Sequence, residues 1–461
     1  MLPENVKLLE GGRGQEFEIP CHWQSPTWIV DKVYDLVKDV GRNALDAYMS
    51  YCQSYNLPHS YLLGLDILIN CVVDPSGKKL VDIRPTLVEG PCCNSYPACP
   101  NFFPSRLYAR YKHEGGDPDQ IRWEVHPMSI RDKIVETIQS ISDARGHRGK
   151  PIVGILTRPY PESEEETAHV EVLERLEEMG YRAYRITNEE NPHVKNGKLM
   201  IGDVPIDICY RRIERVHMPP FYGWELAMDI VNNSPNTFYL NPWQIDNLRS
   251  KTIEERCFRE WEIRTGGYVS RPKTLLGKEI SPLAVRNMIM EAGGFALKKW
   301  NSSGGRGVFL HIYEPLVAEG YGKLFKRYDG RHMIIMNQEN IDQHLEQFRN
   351  FEADTAIQQM RIADARHIEN GRRLVYDTRI NVLYNAIEKK WDFISGLSRT
   401  VPCGLDVESG NSLLTNVTAG AHLSPLMLGY SDGENLALQH GPLAKMLLAG
   451  KNEINISDLP D

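Results

Sequence analysis

Two apolar strands flank a turn of small residues in FALKKWNSSGGRGVFL, residues 295–310. Ser302, Ser303, Gly304, Gly305 and Gly307 leave backbone amides open to an anion, because no Cβ stands in the way, and the hydroxyls add donors. A polyphosphate suits such a turn. Lys298 lies on the strand that enters it, before the glycines, where an ammonium meets phosphate oxygens. The order is not that of a Walker A loop, in which GK[ST] opens a helix, and it is no Rossmann fingerprint. An ordinary glycine-rich hairpin carries the same residues, so the reading needs support from elsewhere in the chain.

Support lies downstream. TAIQQMRI reads as a short strand, and RRLVYDTRINVLYN sets Asp377 and Arg379 two apart, on one face of a strand. WDFISGLSRTVP adds Arg399, and LLTNVTAGA adds Asn416 ahead of a turn of small residues. Arginines converging with a carboxylate and an amide suit a triphosphate whose γ-group is being transferred.

These segments resemble the ATP-grasp superfamily of ligases over about residues 240–425. KKWNSSGGRGV is similar to the family's mobile phosphate-covering loop, with Lys298 as an ATP-contacting lysine and Ser303, Gly304, Gly305 and Gly307 around the phosphates. Lys251 in NLRSK, followed by YVSRPKT, resembles the first ATP lysine and the strand after it. Gln358, Gln359 and Met360 fall where the family's hinge strand meets adenine, and Asp364 falls near its ribose-binding acid. Asp377, Arg379, Arg399 and Asn416 resemble the D-x-R, arginine and Asn-to-Gly elements.

In the linear family a metal-binding hairpin follows the Asn-to-Gly turn. Here the tail carries only Glu453-Ile454-Asn455, without an acid-bearing strand before it. The expected order of helix, G-x-D strand, turn and acid-x-polar strand stands instead at the front, in SYNLPHSYLLGLDILINCVVDPSGKKLVDIRPT. That order is similar to the circularly permuted ATP-grasp enzymes, the group of glutathionylspermidine synthetase and eukaryotic glutathione synthetase. The resemblance makes Asp66 and Asp82 the expected Mg²⁺ ligands, hard carboxylate oxygens for a cation that bridges ATP phosphates. Arg84 stands where the family has asparagine; arginine has no acceptor and cannot ligate a cation, so it is a candidate for a phosphate or a substrate carboxylate.

The elements that must position these residues follow from periodicity. Trp28, Val30, Val33, Leu36 and Val37 predict a helix, LDILINCVV and LVDIRP a hairpin whose second strand Pro85 ends. PIVGIL, the helix of Val172, Leu173, Leu176 and Met179 stopped by Gly180, and YRAYRI form a βαβ pattern and imply a partly parallel sheet. GKLMIGDVPIDICYRR predicts a hairpin and a buried strand, Ile206 to Tyr210, ending at Arg211 and Arg212, candidates for a substrate carboxylate because ligands bind at such strand ends. Arg215 reads as a solvated charge. The expected fold is mixed α+β and α/β, an ATP-grasp fold in permuted order with a βαβ pre-ATP-grasp substrate domain. Its expected parts are residues 1–150 with the metal hairpin, 151–245 as substrate domain, and 246–461 as ATP-grasp domain with a lid over about 273–360.

The 461 residues carry 53 Lys+Arg against 61 Asp+Glu, a formal charge of -8, so no global basic field draws in nucleic acid. No apolar stretch reaches membrane-spanning length and the first thirty residues lack a secretory pattern, which predicts a cytoplasmic protein without membrane partners. Nine cysteines spread thinly fit reduced thiols, and Cys92, Cys93 and Cys99 read as loop thiols, not a zinc site. The activity that the resemblance implies is ATP-dependent joining of a small carboxylate to an amine, or to a thiol, through an acyl phosphate, with ATP and Mg²⁺ as cofactors. A phosphotransferase, or a nucleotide-binding regulatory protein with a degraded site, are the alternatives, and self-association is left open.

Overall fold

The computed structural model describes residues 7–9, 16–18, 27–73, 79–91, 121–122, 125, 129–157, 172–248, 250–298, 308–313, 315, 333–349, 355–359, 366–369, 372–402, 422–429 and 454–455. Helix α1 (Asp31–Ser54) buries Val33, Val37, Ala44, Tyr48 and Cys52 along one face. Gly41 belongs to that face. A Cβ there would stand 3.0 Å from Leu65 Cδ1 and from Phe393 Cε1, so a glycine lets the helix sit close to the sheet below. Trp28 and Val30 are not part of the helix. Thr27–Val30 is a strand that pairs in parallel with Leu426–Gly429, a tertiary pairing that overrides the helical spacing.

Strands β1 (Leu62–Val73) and β2 (Lys79–Glu89) form the expected hairpin. Pro85 does not end β2. Its carbonyl accepts from Ser270 Oγ at 2.7 Å, on the side away from β1, so the missing N–H also falls on that outer side and costs no ladder bond. Helix α2 (Ile130–Ala144) follows. Strands β3 (Val153–Leu156), β4 (Ala183–Ile186), β5 (Ile208–Arg211) and β6 (Phe238–Tyr239) then make an all-parallel sheet in the order β6-β5-β3-β4. Residues 172–178 are the helical crossover between β3 and β4.

Helix α3 (Lys251–Thr265) is capped by Ser250, whose side chain accepts from Thr252 N–H, and stops at Gly266 in the left-handed region, φ 71°. Beyond it, β7 (Thr274–Leu276), α4 (Pro282–Ala292), β8 (Gly294–Lys298), β9 (Val308–Tyr313), β10 (Met333–Met336) and β11 (Ala356–Gln359) build a second, mainly antiparallel sheet, ordered β7-β11-β8-β9-β10. The segment entering it is clasped by charge. Arg271 is shared by Glu255 and Glu262, while Arg259 joins Glu255 to Glu279 and to the Thr274 carbonyl. Burial opposes the charge of Arg271, yet the bonds to Glu255 and Glu262 win and hold its pKa above the ordinary value.

Strands β12 (Arg372–Asn385), β13 (Lys390–Pro402) and β14 (His422–Gly429) complete the largest sheet, whose order β2-β1-β12-β13-β14 inserts the N-terminal hairpin beside the C-terminal strands. Strand alternation sorts its side chains. Leu63, Leu65, Ile67, Ile69, Ile380, Val382 and Phe393 pack under α1, and Leu62, Leu383 and Ile394 pack on the other face with Ile134, Ile138 and Ile141 of α2. Each such buried aliphatic side chain contributes about 2 kcal/mol.

Two histidines sit inside this framework. Burial pushes both His59, among Tyr61 and Tyr384, and His311, stacked on Phe295 at 4.4 Å, down to about 4. Their neutral forms belong to the fold, so their stabilisation is complete above the unfolded value near 6.5 and is lost as pH falls from there towards 4. Urea unfolding across that window is expected to show a steep loss of stability, up to about 3 kcal/mol per histidine, and His311→Phe is expected to flatten it.

Candidate active site

Strand β1 meets β12 in antiparallel register, with Leu65 opposite Ile380, Asp66 opposite Arg379 and Ile67 opposite Thr378. Thr378 Oγ1 donates to the Ile67 carbonyl at 2.8 Å, which adds a side-chain bond to the ladder. One residue over, on the face away from α1, Arg379 grips Asp66 with two parallel bonds, Nε to Oδ1 at 2.6 Å and Nη2 to Oδ2 at 2.8 Å. The Asp66 side chain is 1 % exposed and that of Arg379 15 %. A carboxylate and a guanidinium 313 positions apart in the chain thus form one buried unit.

The neighbouring positions extend this row. Asp377 stands opposite Arg399 in the β12–β13 ladder, two residues from Arg379, so the D-x-R element and the second arginine share adjacent strands. The side chains of Asp377 and Arg399 lie outside the described residues, as do Ser303, Gly304, Gly305, Gly307, Met360, Asp364 and Asn416. On β2, Asp82 is opposite Val72 and Arg84, exposed, is opposite Asn70. Asp82 therefore pairs six residues along β1 from Asp66, roughly 20 Å at the rise of a strand.

The side chain of Asp82 lies outside the described residues. Asp66 fits a metal poorly: both its oxygens already accept from a guanidinium, and a divalent cation placed there would meet a like charge. Among the described residues no group of three His, Cys, Asp or Glu side chains forms a metal site.

In the second sheet β11 runs between β7 and β8, so buried Gln358 lies opposite Thr274 and Ala296, and Gln359 opposite Phe295. Lys298 ends β8 opposite Ala356 and Val308, half-buried, one strand away from the glutamines. The expected adenine strand and the expected phosphate lysine are thus hydrogen-bonded neighbours. Lys251 opens α3 and pairs with Glu254, whose other oxygen accepts from Gly90 N–H at 2.8 Å at the end of β2. Sequence reading missed Glu254. Its spacing from Lys251 is that of any helical ion pair, and nothing local marks the contact with Gly90.

The two adjacent arginines of β5 separate. Arg211 is wholly buried, and its Nε and both terminal nitrogens bond to the carbonyls of Asn241, Ile213 and Pro242 and, twice at 2.8 Å, to Asp246. Its guanidinium carbon lies 4.0 Å from the centre of the Trp243 ring. Burial draws its pKa down to about 10 against the pull of Asp246. Every donor is used within the protein, so Arg211 is an internal anchor and not a substrate ligand. Arg212 follows it, half-buried, its backbone N–H on the Leu156 carbonyl at the end of β3. The chain runs from β3 to β4 on one side and returns to β5 on the other, so Arg212 stands at the switch point of the parallel sheet, where ligands bind.

No protein-family profile and no curated protein sequence matches the chain. Among solved structures, a glutathione synthetase-like effector from Globodera pallida, in its apo form, aligns with a TM-score of 0.50 at 12% identity, over 88% of this chain and 89% of that one. A putative gamma-glutamylcysteine synthetase from Methylobacillus flagellatus aligns at 0.42 and 10% identity over 87% and 89%, and D-alanyl-alanine synthetase A from Vibrio cholerae at 0.27 and 10% over 61% and 88%. The first of these shares the fold of the chain, which agrees with the resemblance to ATP-grasp ligases.

The two arginines are separable by experiment. Arg211→Ala takes the guanidinium away from part-buried Asp246, which keeps only weaker partners such as the Arg215 N–H, and opens a cavity beside Trp243; it is expected to cost about 3 kcal/mol in urea unfolding. Arg212→Ala is expected to stay within about 0.5 kcal/mol of wild type.

Proposed function

We propose that this chain is an ATP-dependent ligase that joins a carboxylate to an amine, with the ATP-grasp elements in circularly permuted order. The observation that carries the proposal is the insertion of the β1–β2 hairpin beside β12, with Asp66 on the arginine of the D-x-R element. The hairpin that follows the Asn-to-Gly turn in the linear family stands here at the front of the chain, and its first strand lies beside β12. The shared fold with a glutathione synthetase-like protein supports the same reading. In it, residues 1–150 complete the site, 151–245 are the substrate domain and 246–461 the nucleotide-gripping part.

Adenine would lie along Gln358, Gln359 and Met360, with Asp364 at the ribose. Lys251 and Lys298 would hold phosphates under the turn of Ser303, Gly304, Gly305 and Gly307, and Asn416 would close the phosphate end. The carboxylate substrate, bound by Arg212 or by exposed Arg84, attacks the γ-phosphorus in line and ADP leaves. Arg379 and Arg399, with Asp377 between them in charge, stabilise the negative charge spread over the transferred oxygens. The acyl phosphate is then attacked by the amine nitrogen at its carbonyl carbon, an amide forms, and phosphate departs with the bonding electrons. Water must be kept out between the two steps. Mg²⁺ would accompany ATP and offset the charge of its phosphates.

A second reading, a nucleotide-binding protein without turnover, draws on the occupied oxygens of Asp66 and on Arg84 at the asparagine position. The two differ in product. A screen of carboxylate and amine pairs is expected to show phosphate release from ATP that needs both substrates, and Lys298→Ala is expected to lower it at least about a hundredfold. Release in the variant equal to wild type would remove the glycine turn from the site. ADP formation without free phosphate would identify a phosphotransferase, and Mg²⁺-independent ATP binding with no turnover the regulatory reading.

A further inference from the structure

We infer that Asp66 is a positioning residue for Arg379, fixing the guanidinium that receives the γ-phosphate, and takes no part in binding metal. The inference rests on the placement of Arg379 at the transferred phosphate. Three observations lead to it.

First, Asp66 takes the Nε and Nη2 edge of the guanidinium in a bidentate grip. A planar fork held at one edge has its plane and its opposite edge fixed as well, whereas a lone arginine on a strand samples many rotamers. Second, the burial is lopsided. Asp66 is 1 % exposed and Arg379 15 %, so the carboxylate is the more completely buried partner and the arginine the one nearer solvent. Third, the pair is an uneconomical way to hold two strands together. Desolvating a carboxylate to that degree is unfavourable, and apolar pairs such as Leu65 with Ile380 already join β1 to β12 on the opposite face. The directional grip on an arginine is what an apolar pair would lack.

Both strands are needed for this. Residue 66 arrives on the N-terminal hairpin and residue 379 on the C-terminal strand, in register opposite one another. The hairpin would then contribute orientation to the phosphate site through Asp66.

Equilibrium dialysis with β,γ-imido-ATP and with ADP, each at saturating Mg²⁺, tests this on the full chain as wild type, Asp66→Asn, Arg379→Lys and the double variant, with thermal melting of each. Arg379→Lys is expected to weaken imido-ATP about tenfold and ADP less than about twofold, because only the former carries the γ-phosphate. Asp66→Asn is expected to reproduce most of that selective loss, the double variant to be no weaker than Arg379→Lys alone, and the Mg²⁺ concentration for half-maximal binding to stay that of wild type. The inference is overturned if Arg379→Lys loses selectivity while Asp66→Asn keeps it, or if Asp66→Asn raises the Mg²⁺ requirement. If Arg379→Lys itself keeps the wild-type ratio, the placement of Arg379 at the γ-phosphate fails and the inference falls with it. Should Asp66→Asn not fold, Asp66→Ala with added formate replaces it: recovery of imido-ATP affinity with formate supports the role, and absence of that recovery overturns it.

Discussion

Everything in the proposed site depends on β1 finding β12. The two strands come from opposite ends of the chain, and their antiparallel ladder places Leu63, Leu65, Ile380 and Val382 in one core under α1. Contacts of such sequence separation carry a large loop-closure cost, so they form only where many apolar groups are buried at once. The ion pair of Asp66 and Arg379 sits on the other face of that ladder. It adds little net stability after desolvation, but it fixes which way one arginine points.

The same division between apolar adhesion and charged orientation recurs around α3. Phe258 and Cys257 bury into the α1 core, while Glu254 reaches Lys251 and Gly90, and Glu255 and Glu262 hold Arg271. These carboxylates tie the entry of the second sheet, with Lys298 and the glutamines, to the helix that carries Lys251. The two candidate phosphate lysines, Lys251 and Lys298, are thereby referred to one rigid element rather than to a free linker.

Some of this was legible in the residues. The βαβ pattern around PIVGIL and YRAYRI, the N-terminal hairpin and the strand pair at Lys298 follow from local periodicity, and the structure has each of them. What escaped was set by partners distant in sequence. Trp28 and Val30 have helical spacing but are drawn into a strand by Leu426–Gly429. Pro85 looks like a terminator until Ser270 is seen on its outer side. Arg211 and Arg212 are equivalent as letters; strand alternation turns one inward to Asp246 and Trp243 and leaves the other at the sheet's end. Asp66 was an expected ligand through the family resemblance, and only the register opposite Arg379 shows that its oxygens are taken.

A crystal structure with imido-ATP and Mg²⁺ bound tests the central claim most directly, since it locates the triphosphate relative to strands from both ends of the chain. The account predicts the γ-phosphate within hydrogen-bonding distance of Arg379, with Asp66 still bidentate on the other edge of the guanidinium. A triphosphate remote from the β1–β12 ladder, or a metal ion coordinated by Asp66 with Arg379 displaced, would contradict it.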